Sequence, residues 1–444
     1  MPVSQAQAQQ PAASVPAPAL PATAVAPPTP AAPPATAPVP GAATPQSAMD
    51  TPRRLRLLSL GVVTLGVLTG LVGALVFSAL AYSLGRAEAD TDQLVRVQQV
   101  QANLLIADAT ATNAFLVGGL EPAAQRAQYD AALTTTGALI AQAARAQPAD
   151  ADALAALNQQ VVAYSGAIEQ ARANNRQGLP VGAQYLRSAS AQLRAEALPI
   201  ADNLVVANAD RAEDRMAVWV GLVFVIVAAL ALVALVIGQV WLARRFRRTF
   251  NRGMLGASVL LLALLVGGIV LLVNLNSSVA SIRSGSFAAV NAAAGARIEA
   301  SDAKSNESLT LIARGSGAAF ETAWKDSAAS VTDDLNRLGR NAPTEEWNAY
   351  VAVHNEIRKL DDGGQWEQAV ARATGTGKDS GNTAFNAFDA RLAETLDQSS
   401  RDAAEGLSGR QPVLVIAAIL ALLSGLAVAL LARSGVAARL REYR

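Results

Sequence analysis

The chain has 444 residues, of which 52% are hydrophobic and 16% are charged, and its formal net charge is only +1. This composition predicts an integral membrane protein rather than a soluble enzyme. The chain contains no cysteine and one histidine, His354, so disulfides, thiol chemistry and first-row metal sites are not expected. We expect no cofactor and no nucleic-acid partner.

The first segment, residues 1–52, holds 14 of the 20 prolines and a single charged residue, Asp50. Such a segment cannot bury a core and is predicted to be a disordered cytoplasmic tail with polyproline-II character. Its proline-rich run at residues 26–34 could recruit a partner. A simple spacer of biased composition is the favoured interpretation.

Four apolar stretches follow, and each is long enough to cross a hydrocarbon layer of about 30 Å, which takes about 20 residues in a helix. The predicted spans are residues 53–82, 217–243, 254–275 and 412–432. The first is too long for the apolar core of a signal peptide and is interpreted as a retained span. The segments between and after the spans are residues 83–216, 244–253, 276–411 and 433–444.

Arginine is concentrated in the short segments beside the spans, whereas the two long segments are acidic. Residues 83–216 carry 10 basic and 14 acidic side chains, and residues 276–411 carry 14 and 19. An excess of arginine in short loops marks the cytoplasmic side of a membrane. We therefore expect a multi-pass protein of the cytoplasmic membrane, with both termini inside and both long segments outside. The arginines concerned are Arg53, Arg54, Arg56, Arg244, Arg245, Arg247, Arg248, Arg252, Arg433, Arg439, Arg441 and Arg444.

The two long segments are predicted to be all-α, because apolar residues recur every three or four positions and strand signals are absent. Glycine and proline divide each segment into four helices, so we expect two antiparallel four-helix bundles. Pro199 lies inside a predicted helix and is expected to kink it. The predicted breaks are at residues 118–122, 147–148, 178–180, 315–317, 341–343 and 361–364.

The two halves also look like copies of one unit. The sequence Ile106-Ala107-Asp108-Ala109 precedes Ala300-Ser301-Asp302-Ala303 by 194 residues, and the spans are offset by similar amounts. An internal duplication would pair the bundles about a pseudo-twofold axis. One difference is the longer connection at residues 361–379 of the second half, which includes a short segment with Trp366.

Two surfaces are candidate partner sites. The first lies at the predicted membrane-distal end of the second bundle, where a tryptophan stands among mixed charges, as at many protein interfaces. Its alternative is a tryptophan that caps the bundle core. The residues of this predicted docking patch are Asp361, Asp362, Trp366, Lys378 and Asp379.

The second surface is cytoplasmic and basic, and it could hold an acidic surface of a kinase or an adaptor. Topological anchoring with contact to anionic lipid is the favoured alternative, and both can hold together. The residues are Arg244, Arg245, Arg247 and Arg248.

Catalysis and transport are not expected. The middles of the spans hold no Asp, Glu, Lys or Arg, although ion paths and proton relays use such groups. The run Gly375–Asp379 lacks the first glycine and the Ser or Thr of a phosphate-binding loop. His354 shares a helical face with Trp347, Tyr350 and Ile357, which favours a packed histidine over a ligand or a general base.

Helical bundles held outside the membrane between two spans resemble the sensor domains of bacterial chemoreceptors. The chain beyond the tail is also similar to GlnX, the four-pass membrane component of the actinobacterial amino-acid-sensing system. The residues that carry this second resemblance are the runs Trp366–Gly375 and Asn382–Asp389, together with the repeated span–bundle–span plan. The resemblance implies a relay from an aspartate- or glutamate-binding lipoprotein to a cytoplasmic serine/threonine kinase.

Three functions remain open from the sequence. The first is this non-enzymatic signal relay, with membrane lipid, a solute-binding lipoprotein and a kinase or adaptor as partners. The second is a scaffold or accessory subunit of an envelope transport or secretion complex. The third is a chemoreceptor-like sensor that binds a small molecule directly. A homo-oligomer is compatible with all three.

Overall fold

The computed structural model describes residues 51–117, 120–246 and 251–440, and this part of the chain forms helices and no strand. Thirteen α-helices follow one another, with short turns between them. Their bounds are α1 Thr51–Val117, α2 Ala123–Ala146, α3 Ala151–Arg176, α4 Val181–Gln192, α5 Leu198–Arg215, α6 Gly221–Phe246, α7 Arg252–Ile282, α8 Ala288–Ile312, α9 Ala318–Leu338, α10 Thr344–Asp362, α11 Trp366–Thr374, α12 Gly381–Ser408 and α13 Gln411–Leu440. The predicted all-α fold is confirmed.

Four of these helical stretches are long and apolar enough to cross a membrane, and they contain α1, α6, α7 and α13. Large apolar side chains on them face outward, as expected for surfaces in contact with lipid. Leu75 of α1, Leu230 of α6 and Leu430 of α13 are examples that are more than half exposed. The chain is therefore built as a multi-pass membrane protein.

The first and last spans approach closely through glycine. A Cβ atom built on Gly425 of α13 would lie 2.4 Å from the Cα atom of Gly70 on α1, so no larger residue fits there. Gly66 lies one turn before Gly70 and contacts the same region of α13. Without a hydrophobic driving force between helices in lipid, close backbone contact of this kind stabilises their association.

The first bundle comprises the C-terminal half of α1 with α2, α3 and the stretch from α4 to α5. Its core is apolar, and it is formed by side chains that recur every three or four residues on each helix. Leu154, Leu157, Tyr164 and Ile168 of α3 are examples. The breaks predicted from glycine and proline fall between these helices.

The second bundle comprises α8, α9, α10 and α12. Its core is rich in aromatic rings, and Trp347 packs against Tyr350 and Phe388 with centroids 5.5 and 5.0 Å apart. The short helix α11 lies in the long connection between α10 and α12, where the sequence places an extra segment.

Two helices run without interruption between the spans and the bundles. Helix α1 has no break over its 67 residues, and α7 continues into α8 through a π-helical turn at Arg283–Phe287. A second π-helical turn, Leu193–Ala197, joins α4 to α5 next to Pro199, which lacks the N–H needed to continue the α-helical ladder.

The helix that leads from the first bundle into the second span is interrupted. Residues 216–220 form a turn between α5 and α6, so that span begins at Gly221 rather than at residue 217. A turn also separates α12 from α13. Direct helical continuity from bundle to span is therefore a property of α1 and of α7–α8.

Some predictions lie outside the described residues. They concern the tail at residues 1–50, Arg247 and Arg248 of the basic connection, and the chain end at residues 441–444.

Candidate functional site

The two bundles meet where α1 packs along α8. Helix α8 is covered by its own bundle on one side and by α1 on the other, so its small polar residues become buried. Ser301, Ser305 and Ser308 are examples. Serine and alanine allow the two helices to approach closely, and they explain why α8 lacks a one-sided apolar pattern.

Asp108 of α1 is the central acid of this contact and is 0% exposed. Its Oδ1 atom accepts hydrogen bonds from Tyr164 at 3.1 Å and Ser190 at 2.6 Å, both within the first bundle. Its Oδ2 atom accepts one from Ser305 of the second bundle at 2.6 Å. A buried carboxylate needs such donors, because burial without them is unfavourable by several kcal/mol.

Arg194, in the π-helical turn between α4 and α5, joins the two bundles. Its Nη1 atom donates to Asp108 Oδ2 at 2.9 Å, and its Nε atom donates to Asp302 Oδ1 of α8 at 2.9 Å. Asp302 in turn accepts hydrogen bonds from Asn306 and from Ser327 of α9. We call Asp108, Arg194, Asp302 and Ser305 the interbundle seam.

The seam places one guanidinium between two carboxylates in a largely dehydrated contact. Burial and the charge of Asp108 hold the pKa of the Tyr164 hydroxyl well above its usual range, so this hydroxyl remains a donor. Removing one member of such a network leaves its partners buried without compensation, which costs about 3–5 kcal/mol. The network therefore favours one packing of the bundles strongly over other packings.

A second buried cluster lies further along α8, inside the second bundle. Glu307 is 0% exposed and accepts hydrogen bonds from Lys304 at 2.6 Å, Tyr350 at 3.3 Å and the Nδ1 atom of His354 at 2.9 Å. We call Lys304, Glu307 and His354 the buried charge cluster. Burial alone would raise the pKa of the Glu307 carboxyl, but Lys304 and His354 outweigh it and lower this pKa to about 2.

His354 is enclosed between two carboxylates and an indole ring. Its Nε2 atom lies 3.4 Å from Glu321 of α9, and its ring stacks on Trp324 with 3.5 Å between centroids. Burial lowers the pKa of His354, but its hydrogen bond with Glu307 and the negative charges of Glu307 and Glu321 more than compensate and raise this pKa above its usual value. A cationic imidazole is thus stabilised inside the bundle.

Neither cluster is a metal centre by composition. Within residues 51–117, 120–246 and 251–440, no group of three or more His, Asp or Glu side chains is arranged to hold a metal ion.

The members of the predicted docking patch are placed differently from one another. Asp361 and Asp362 both pair with Arg358 at 2.6 Å. Trp366 is half-buried, and its Nε1 atom donates to the Leu311 carbonyl at 2.8 Å. The ring also carries the guanidinium of Arg314 at 3.9 Å. Trp366 therefore caps the end of the second bundle, and part of its ring remains accessible.

Lys378 and Asp379 are exposed on the connection between α11 and α12, where a partner could reach them. Among the basic residues, Arg244 and Arg245 are exposed at the end of α6. Docking at either surface stays a prediction.

The sequence placed Asp108 and Asp302 at matching positions of a predicted repeat, but it did not predict a site there. Both carboxylates bind the same arginine, so the repeat signal marked two members of the seam. Arg194 and Ser305 carried no comparable signal. Arg194 stands beside an apolar helical stripe, and this is the sequence feature that would have indicated a buried ion pair.

Residues 83–217 match a family model described as an actinobacterial sensor domain. No curated protein and no solved structure matches the chain. The match covers the first bundle, less than a third of the chain.

The fold defines a helical multi-pass membrane protein, and the segment between its first two spans is similar to an actinobacterial sensor domain. The match supports a role in sensing or signalling.

Proposed function

We propose that this protein is a non-enzymatic receptor that relays an extracytoplasmic signal across the cytoplasmic membrane. In this proposal both bundles stand outside the cell and both termini lie inside, as the arginine distribution indicates. The sensor-domain match supports a sensing role for the first bundle. The second bundle packs on it as a partner within the same chain.

The observation that carries the proposal is the interbundle seam. Arg194 and Ser305 connect Asp108 to the second bundle, and the seam lies on α1 and α8. Helix α1 and the α7–α8 stretch are also the two that reach the membrane without a break. A change of packing at the seam can therefore move two spans relative to each other.

A relay needs two arrangements and an effector that binds them with different affinity. Close-packed interfaces shift between discrete arrangements rather than deforming continuously. The seam suits such a change, because its hydrogen bonds join charged groups. In any other packing of the two bundles these groups must find new partners. Separating Arg194 from either carboxylate would define the second state.

The partners follow from the resemblance to the actinobacterial amino-acid-sensing system. The effector would be an amino acid of the aspartate or glutamate class, delivered by a solute-binding lipoprotein. The exposed residues Lys378 and Asp379, with the accessible part of Trp366, are the surface we assign to that lipoprotein. A cytoplasmic serine/threonine kinase or adaptor would contact Arg244 and Arg245.

The relay can be tested by breaking the seam and measuring distances at both ends of the molecule. The chain contains no cysteine, so introduced pairs can be spin-labelled selectively. One pair, Gln170→Cys and Asp326→Cys, reports the separation of the bundles at exposed positions of α3 and α9. The other, Arg54→Cys and Leu255→Cys, reports the separation of α1 and α7 in the membrane.

We expect Arg194→Ala to change the distance distributions of both pairs in full-length protein in nanodiscs. Arg187→Ala is the matched control, because Arg187 lies on the same helical stretch and bonds only Gln184 of its own helix. The control should leave both distributions unchanged. A change confined to the bundle pair would favour a scaffold and contradict the relay.

A further inference from the structure

A cavity of about 300 Å³ lies between the two bundles, beside the buried charge cluster. Residues from α1 and α2 form one wall, and residues from α8, α12 and the α11–α12 connection form the other. The size is at the lower end of the range for ligand sites, which fits a small molecule. Eight of its fourteen lining residues carry a side-chain amide or hydroxyl, and Asn113, Gln125, Thr376 and Asn382 are among them.

Two buried polar atoms at this cavity have no hydrogen-bond partner among the residues that the structure describes. Asn113 is 3% exposed, and its Oδ1 atom accepts hydrogen bonds from Gln125 and Asn382, each at 2.9 Å. The Nδ2 donor of Asn113 and the Oε1 acceptor of Gln125 are left unmatched. A buried unmatched polar group is unfavourable, so binding of a ligand that satisfies both atoms would be favoured.

Lys304 of α8 adds a third polar group, from the opposite wall of the cavity. Its ammonium donates to Glu307 at 2.6 Å and to the Ala373 carbonyl at 3.4 Å. An ammonium carries three N–H donors, so one remains for an acceptor in the cavity. Because Glu307 and Glu321 together balance the charges of Lys304 and His354, the site offers donors without a net positive charge.

We propose that this cavity binds a small molecule without net charge, which presents a carboxylate or carbonyl to Asn113 and Lys304 and an N–H or O–H donor to Gln125. Zwitterionic amino acids with uncharged side chains belong to this class. An acidic amino acid is disfavoured, because its extra carboxylate would be dehydrated without a counter-charge. The inference rests on the proposed sensing function and gives it a directly bound effector, which differs in charge from the lipoprotein's ligand.

Occupancy of this cavity would act on the seam. A ligand there contacts α1 and α8 at once, and Asn113 and Lys304 lie on the same two helices as Asp108 and Ser305. It would bind most tightly to the packing that keeps both walls at hydrogen-bonding distance. The ligand therefore shifts the equilibrium between the two packings by its difference in affinity for them.

The test uses full-length protein in nanodiscs and isothermal titration with L-serine, L-asparagine and L-glutamine as neutral probes. L-Aspartate and L-glutamate are the acidic counterparts. We expect at least one neutral probe to bind and to raise the unfolding temperature, with the acidic counterparts at least about tenfold weaker. Asn113→Asp keeps the Oδ1 acceptor but replaces the unmatched donor, and it should weaken binding about tenfold or more.

The matched control is Asn103→Asp, the same change on the same helix at a residue whose amide donates to Gln99 of its own helix. It should bind the neutral probe like the parent protein. Thr376→Trp, at an exposed position of the cavity wall, tests access without altering the buried amides and should also reduce binding.

Failure of all three neutral probes to bind would overturn the proposal, as would equal binding of the acidic pair or unchanged binding by both cavity variants. These outcomes are separate from the relay itself. The spin-label distances in the Arg194→Ala protein are measured without ligand and would still report a coupled seam.

Discussion

The two bundles are both helical, but they differ in how their buried charged groups are compensated. In the first bundle the buried acid Asp150 accepts hydrogen bonds from Asn208 and from Arg211, whose side chain remains about one-third exposed. In the second bundle Lys304, Glu307 and His354 are all enclosed. Water can share the charge of the first site, whereas the second must balance its charges internally.

This difference means that the second bundle is held by a set of mutually dependent ionisable groups. Removing any one of them changes the balance of buried charge among the others, and removing Glu307 leaves both cations without their common acceptor. The first bundle relies mainly on apolar packing. Its stability should therefore respond little to pH in the range where histidine titrates, and it contains no histidine.

The largest expected effect is that of Glu307→Ala. The substitution leaves Lys304 and His354 buried without their common acceptor, and we expect the second bundle to lose about 3–5 kcal/mol of unfolding free energy. Tryptophan fluorescence during denaturant titration distinguishes the second bundle from the first, because Trp324, Trp347 and Trp366 lie in or against the second bundle and residues 83–216 contain none. Trp219 and Trp241, which lie outside both bundles, are replaced by phenylalanine in the parent protein and in every variant.

Glu345→Ala is the matched control for this variant. Glu345 is an exposed glutamate in the first turn of α10, and its loss should change stability by less than about 1 kcal/mol. If both substitutions lower the unfolding free energy equally, the buried charges are not what stabilises the second bundle.

A smaller effect is expected from pH. The folded-state pKa of His354 is raised above 6.5, so its stabilising contribution is fully present below pH 6.5. That contribution is lost as the pH rises through the folded-state pKa. The unfolding free energy of the second bundle, measured by fluorescence, should therefore fall as the pH rises through this window. The charged groups around His354 are Lys304, Glu307, Glu321 and Arg358.

His354→Gln supplies the comparison, because glutamine keeps a polar side chain but cannot titrate. The variant should lose the pH dependence above 6.5 and should keep the acid dependence that comes from the lowered pKa of Glu307. A parent protein whose stability does not change between pH 6 and 9 would contradict a protonated His354.

The smallest effect is expected at exposed ion pairs, where the bundles should behave alike. Arg401 pairs with Asp397 on the second bundle and Arg126 with Asp130 on the first, in each case four residues apart. Arg401→Ala and Asp130→Ala should each change the unfolding free energy by about 0.3–0.5 kcal/mol. The measurement is thermal unfolding. A large effect at either pair would show that the two bundles differ in their surface ion pairs rather than in their buried charges.

Composition and periodicity predicted much of the fold. The apolar runs indicated four spans, and glycines and prolines such as Gly178, Pro180 and Pro343 marked the turns between helices. These features are local, so sequence is sufficient to find them. The turn at residues 216–220 was missed because valine and tryptophan there continue the apolar pattern of the span.

The candidate site was harder to predict because its contacts are distant in sequence. Asp108 and Ser305 are 197 residues apart, and Arg194 and Asp302 are 108 apart. The predicted docking patch illustrates the opposite problem. Trp366 had two readings in the sequence, and its contacts with Leu311 and Arg314 depend on where α8 ends relative to α11.

The close contact of α1 with α13 brings the beginning and the end of the described chain side by side. Leu55 and Val436, 381 positions apart, are packed in the same apolar cluster. The four spans thus close into a ring rather than an open row. Fluorophores attached near these two residues would exchange energy efficiently, and a loss of that transfer in living cells would report any opening of the ring as it happens.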